Sequence, residues 1–116
     1  MMRAKKANET SLVRAIIEEL NLRGIKCWRA NRGAARYPGK DGKTRFVQYG
    51  INGQADITGI LNDGRRLEIE VKVGNKQPSD AQREFLQMIQ QRGGLAIVAW
   101  SMSDVDKVMV KEGYYK

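Results

Sequence analysis

Apolar side chains recur along this chain with two different periods, and the switch between them marks its elements. Over residues 9–23, Leu12, Val13, Ile16, Ile17 and Leu20 fall on one stripe of a 3.6-residue helix. Asn8 reads as the N-cap of that helix and Gly24 as its stop. Residues 25–30 alternate like a half-buried strand. The stretch Asn31 to Lys43, rich in Gly, Arg and Lys, shows neither period and reads as a long loop, with a short strand possible only from Phe46 to Tyr49. Strands are expected over Ala55 to Leu61 and Arg66 to Val73, joined through the hairpin signal Asp63-Gly64. A helix is expected from Ser79 to about Arg92, with Ala81, Phe85, Met88 and Ile89 inward and Gly93-Gly94 ending it. Leu95 to Trp100 is an unbroken apolar run that suits a buried strand. Ser103 and Asp106 then read as a capping start for a last helix to about Val110. Helix, three strands, helix, strand, helix is the pattern of an α/β domain with a mixed central sheet flanked by helices.

A chain of 116 residues fits one domain, residues 1–116. Its longest apolar runs are too short to span a bilayer, and Met1 to Ala7 lack a secretory signal's apolar core, so no membrane association and a cytoplasmic location are expected. Histidine is absent and cysteine occurs once, at Cys27. Ser-His-Asp and Cys-His catalysis and a structural Cys/His zinc site are therefore excluded. Cys27, beside Trp28 in the expected strand, reads as a small core residue. The formal net charge is +8, an excess that favours a polyanionic partner. Lys26, Arg29, Arg32, Arg36, Lys40, Lys43 and Arg45 crowd one stretch, with Asp41 the only acid among them.

Candidate chemistry gathers in Gln54-Ala55-Asp56-Ile57 and Glu68-Ile69-Glu70-Val71-Lys72-Val73. Residues i and i+2 of a strand share a face, so Glu70 and Lys72 point the same way. A hairpin turning at Asp63-Gly64 sets Asp56 opposite Val71, between Glu70 and Lys72. Two carboxylates and an ammonium then meet on neighbouring strands. Such oxygen donors suit a hard cation such as Mg²⁺, and metal-assisted phosphodiester cleavage needs no histidine. The same alternation also describes the wet face of an amphipathic strand carrying weak ion pairs. Glu9 projects from the N-terminal end of the first helix's apolar stripe, as a helix-dipole partner or a metal-site residue. Gln82 completes a Ser-x-x-Gln capping box with Ser79, or reaches toward the metal water or scissile phosphate.

In order along the chain, Asn8-Glu9, Gly24-Ile25, Trp28-Arg29-Ala30-Asn31-Arg32-Gly33, Gly53-Gln54-Ala55-Asp56-Ile57, Glu70-Val71-Lys72, Pro78-Ser79-Asp80-Ala81-Gln82 and Gly93-Gly94 resemble the virus-type replication-repair nuclease (VRR-NUC) branch of the PD-(D/E)XK nuclease superfamily. The superfamily's proline-aspartate pair reads Ala55-Asp56 here. The resemblance implies a restriction-endonuclease-like αβββαβ core with an extra C-terminal helix. It implies Asp56, Glu70 and the Val71 carbonyl as ligands of Mg²⁺ or Mn²⁺, with Glu9 at the metal site directly or through water. Lys72 would position or polarise the nucleophile, and Gln82 would assist.

With Arg29, Arg32, Arg36, Lys40, Lys43 and Arg45 on backbone phosphates, the expectation is a structure-selective DNA endonuclease. A Holliday-junction resolvase acting as a homodimer, of phage or prophage origin, is one form of it. A noncatalytic nucleic-acid-binding module is the competing class. An RNA-processing endonuclease is disfavoured, because Trp28, Trp100 and Phe46 are expected to be strand-buried and to leave no stacking platform.

Overall fold

The computed structural model describes residues 3–30 and 33–115, the side chains of 3–8, 33–35, 37 and 47–49 excepted. The elements are α1 (Arg3–Leu22), β1 (Lys26–Arg29), β2 (Gly33–Pro38), β3 (Thr44–Tyr49), β4 (Ile57–Ile60), β5 (Arg66–Val71), α2 (Asp80–Gln91), β6 (Leu95–Ala99) and α3 (Met102–Lys111). The protein is a mixed α/β structure built on a four-stranded sheet in the order β1-β4-β5-β6. Its first three strands run antiparallel, and β6 lies parallel to β5 through the α2 crossover.

Alternation along the strands divides the molecule into three layers. Leu67, Ile69 and Val71 of β5 face one side, where they join Val13, Ile16 and Leu20 of α1 and Val105 and Met109 of α3 in the main core. The other face carries a smaller core, with Ala55, Phe85, Leu86 and Ile89 packed against Ala96 and Val98. Helix α2 therefore rests on β5 and β6. Among the described residues no helix covers the same face of β1 and β4, and Trp28 and Ile60 are exposed there.

Local chemistry sets the element ends. After α1, Gly24 takes φ +84°. The Gly24 and Ile25 amides donate to the Asn21 and Leu20 carbonyls, the paired bonds of a Schellman stop. Ser79 and Gln82 form the expected capping box of α2. Two expected helix starts are corrected. Helix α1 begins at Arg3, so Asn8 lies inside it; Arg3 to Ala7 are good helix formers without a breaker. Helix α3 is capped by Ser101, whose Oγ accepts from the Asp104 amide, and not by Ser103. Asp104 also accepts the Trp100 N–H at 2.8 Å, satisfying a donor left at the end of β6.

The largest correction concerns Asn31 to Lys43. From Gly33 onward this stretch forms β2 and the turn into β3, a two-stranded hairpin separate from the main sheet. Asp41 Oδ1 accepts the Lys43 amide in the turn, and Gly42 sits at φ +78°. Periodicity missed this hairpin because alternation records burial, and Arg36, Lys40, Lys43, Arg45 and Phe46 are all exposed. A radius of gyration of 16.3 Å, against about 13 Å for a compact chain of this length, agrees with an arm that stands away from the core. Arg32 lies outside the described residues.

Trp28, Phe46 and Trp100, expected to be buried, are 45%, 65% and 37% exposed. That removes the aromatic argument against an RNA substrate. Cys27 is a buried core residue as expected, with burial pushing its thiol up to about 11. Among the described residues no helix is long and apolar enough to cross a membrane.

Ile69 is fully buried at the centre of the sheet. Ile69→Ala is expected to lower stability by about 2–5 kcal/mol, read as a lower urea midpoint at unchanged slope.

Candidate active site

The β4–β5 register pairs Ile57 with Ile69 and Thr58 with Glu68, one residue away from the expected alignment. This shift is decisive for the site. Cross-strand partners share a face, so Asp56, one residue before β4, falls in line with Glu70 rather than Val71. The Ala30 amide donates to the Asp56 carbonyl at 2.8 Å, which ties the end of β1 to the same point. Asp56 Oδ2 in turn accepts the Val71 N–H at 2.8 Å. Val71 thus meets Asp56 through its amide, which fixes the carboxylate's orientation.

Glu70 is 2% exposed. Its Oε2 accepts from Gln82 Nε2 at 3.0 Å and lies 3.1 Å from Lys72 Nζ. Its Oε1 is buried and, among the described residues, has no hydrogen-bond partner. Burial, and after it the nearby Asp56 charge, push the Glu70 carboxyl up to about 7, while Lys72 pulls the other way. Once both acids ionise, two negative charges face one ammonium. Two carboxyls are thus held against Lys72 at two strand ends, and among the described residues one Glu70 oxygen has no hydrogen-bond partner.

Gln82 closes the expected capping box and also bonds Glu70 of the acid pair. Its Oε1 accepts the Ser79 amide at 2.8 Å and closes the capping box, while its Nε2 holds Glu70. The first turn of α2 is thereby coupled to the acid pair. Gly53 brings the Asp56 loop onto that turn. It adopts φ +81°, and a Cβ there would strike the Ala81 carbonyl and the Gln82 amide.

The other expected site residues are distributed as follows. Glu9 is half-buried on α1. Among the described residues, no three His, Cys, Asp or Glu side chains group to hold an ion, so Glu9 does not complete a triad with Asp56 and Glu70. Arg29 is exposed at the end of β1, next to the Ala30–Asp56 bond. Arg36, Lys40, Lys43 and Arg45 line the hairpin arm, which enters the chain between β1 and β4. Sequence reasoning passed over Glu68 as a wet-face residue. It is fully buried, accepts from Arg66 Nε at 2.9 Å and from the Thr58 hydroxyl, and leaves Oε1 without a partner. The alternation Glu68-x-Glu70-x-Lys72 was its only signal, and alternation does not say which face a helix covers.

Comparison with protein-family models, with curated proteins and with solved structures finds no match for this chain.

Two outcomes are expected. With the folded Glu70 carboxyl raised from 4.5 to about 7, the unfolded chain ionises first as pH rises, so the metal-free protein loses stability across that window. Its melting temperature should fall between those pH values, and Glu70→Gln should flatten that dependence; an undiminished slope in the variant would contradict the assignment. Gly53→Ala should displace the first turn of α2 and destabilise by about 1–3 kcal/mol, visible in thermal melts and in altered amide shifts around Gln82.

Proposed function

We propose that this chain is a metal-dependent, structure-selective DNA endonuclease that hydrolyses phosphodiester bonds, of the VRR-NUC kind. The observation that carries the reading is the convergence of Asp56, Glu70 and Lys72 at adjoining ends of β4 and β5, with Glu70 Oε1 buried and, among the described residues, unpartnered. The order of the elements of the four-stranded sheet and its flanking helices, αβββαβ with α3 appended, supports a restriction-endonuclease-like core.

The residues fit a divalent cation. Asp56 and Glu70 offer hard oxygen donors, carry more negative charge than Lys72 balances, and include an oxygen that lacks a partner. Mg²⁺ or Mn²⁺ would be held by these two acids, with the Val71 carbonyl and water filling the remaining positions and Glu9 acting through water. Bound there, the ion would acidify a water and neutralise charge on the phosphate. Lys72 is poised on the same face to hydrogen-bond the attacking water or a phosphate oxygen, where its fixed charge stabilises the developing negative charge. Gln82 holds Glu70 in place, and the Val71 amide does the same for Asp56. Arg29 at the rim and the cations of the arm would take backbone phosphates. A two-fold homodimer would present two such sites to a four-way junction.

A noncatalytic nucleic-acid-binding module is the competing reading. The lack of a third acid beside the pair, among the described residues, favours it.

Incubation with four-way, forked and linear DNA, with Mg²⁺, Mn²⁺ or EDTA, separates the two. Metal-dependent cutting of branched DNA is expected. Asp56→Asn and Lys72→Ala should each lose about 100-fold or more in cutting rate while still binding DNA. Binding without cleavage under every metal condition would favour the module.

A further inference from the structure

Helix α2 covers β5 and β6 and leaves the matching face of β1 and β4 open. Trp28 stands in the middle of that open face. It pairs with Thr58, and Thr58 precedes Ile60 and follows Asp56 at strand spacing, so all of these share one face. This is the face that carries Asp56, Glu70 and Lys72. With strands about 4.8 Å apart and about 3.4 Å per residue, Trp28 falls roughly 8 Å from Asp56, a span that neighbouring nucleotides of an extended strand bridge.

The surroundings of Trp28 are cationic. Lys26, two residues before it on the same face, is exposed, and Arg66 lies in that row, opposite Ile60. The one acid of β5 in that region, Glu68, is fully buried beneath Arg66 and Thr58. An indole on the open face of a sheet, with Lys26 and Arg66 on the same face and a carboxylate pair beside it, matches the chemistry of single-stranded nucleic acid. Such strands offer a base to an aromatic face and phosphates to cations. Paired bases inside a duplex have both faces already stacked.

We propose that Trp28 is a stacking platform for an unpaired DNA base next to the candidate active site, so that the protein selects branched or frayed DNA over intact duplex. The proposal rests on the nuclease reading for its placement beside the cleaved bond. Trp28 is a positioning and specificity residue, and it stays clear of the acids and Lys72.

The test is binding in EDTA, so that cleavage plays no part. Fluorescence anisotropy compares a labelled fork with single-stranded arms against a duplex of equal length. Trp28→Ala is expected to weaken fork binding by about 10-fold or more, the scale of one stacked base, and to leave duplex binding within about twofold. Trp28→Phe should restore most of the loss. Quenching of tryptophan emission by an oligothymidylate should survive Trp100→Phe and vanish in Trp28→Phe. Equal loss on fork and duplex, or loss on neither, overturns the proposal. So does a change in oligomeric state with Trp28→Ala, which would make this face an interface between copies. A Trp28-dependent preference for a forked RNA over the DNA fork overturns the assignment to DNA. A chain that shows the Trp28 effect but never cuts sinks the nuclease reading alone; one that cuts while ignoring Trp28→Ala sinks only the platform.

Discussion

Glu70 and Asp56 are two carboxylates that the sheet forces together, and one of them is sealed from water. Strand pairing brings them into line, α2 covers Glu70, and among the described residues a single ammonium, Lys72, stands against the pair. A buried carboxylate with an unpartnered oxygen is costly in a small domain whose margin is narrow. Much of the surrounding architecture serves to hold this arrangement. The Val71 amide grips Asp56, Gln82 grips Glu70 from the capping box, and Gly53 allows the Asp56 loop to press on the first turn of α2. A divalent cation is the simplest partner that would relieve both the unbalanced charge and the orphaned oxygen, which is why the geometry favours metal-assisted phosphate chemistry over a merely solvated strand face.

The second organising fact is that α2 is shared unequally. It lies over β5 and β6, so one half of a sheet face is sealed as core and the other half is left open beside the acids. Glu70 thereby rests on a dry floor beside an open face of β1 and β4. The hairpin of β2 and β3 enters the chain between those same two strands, carrying Arg36, Lys40, Lys43 and Arg45. This distribution of charge suits the polyanionic partner proposed above.

Most of the framework was legible along the chain because burial writes itself into sequence as period. The stripe of α1, the alternation of β5 and the apolar run of β6 each face a core, and each was recognised. Turn and cap chemistry was equally readable at Gly24, Asp63-Gly64, Ser79-Gln82 and Gly93, where glycine's freedom or a side-chain acceptor is required. The failures share a cause. The hairpin arm buries no stripe, so it left no periodic trace and read as loop. The N-terminal turns of α1 carry no apolar pattern, so its start was placed too late. Two Ser-x-x-Asp patterns lie side by side before α3, and only the unsatisfied Trp100 amide selects between them.

What the sequence determined by itself was the inventory: an α/β alternation, a strong positive charge, no histidine, and the acids and lysine at strand positions that share a face. Tertiary structure decided how that inventory is used. A one-residue difference in register, invisible in the residues themselves, aligned Asp56 with Glu70. The seat of α2 decided that Glu68 and Glu70 are buried while Trp28 is exposed, although all three read alike as strand residues. Period can say that a side chain points up or down from a sheet, but only the packing of the remaining chain says which side is covered.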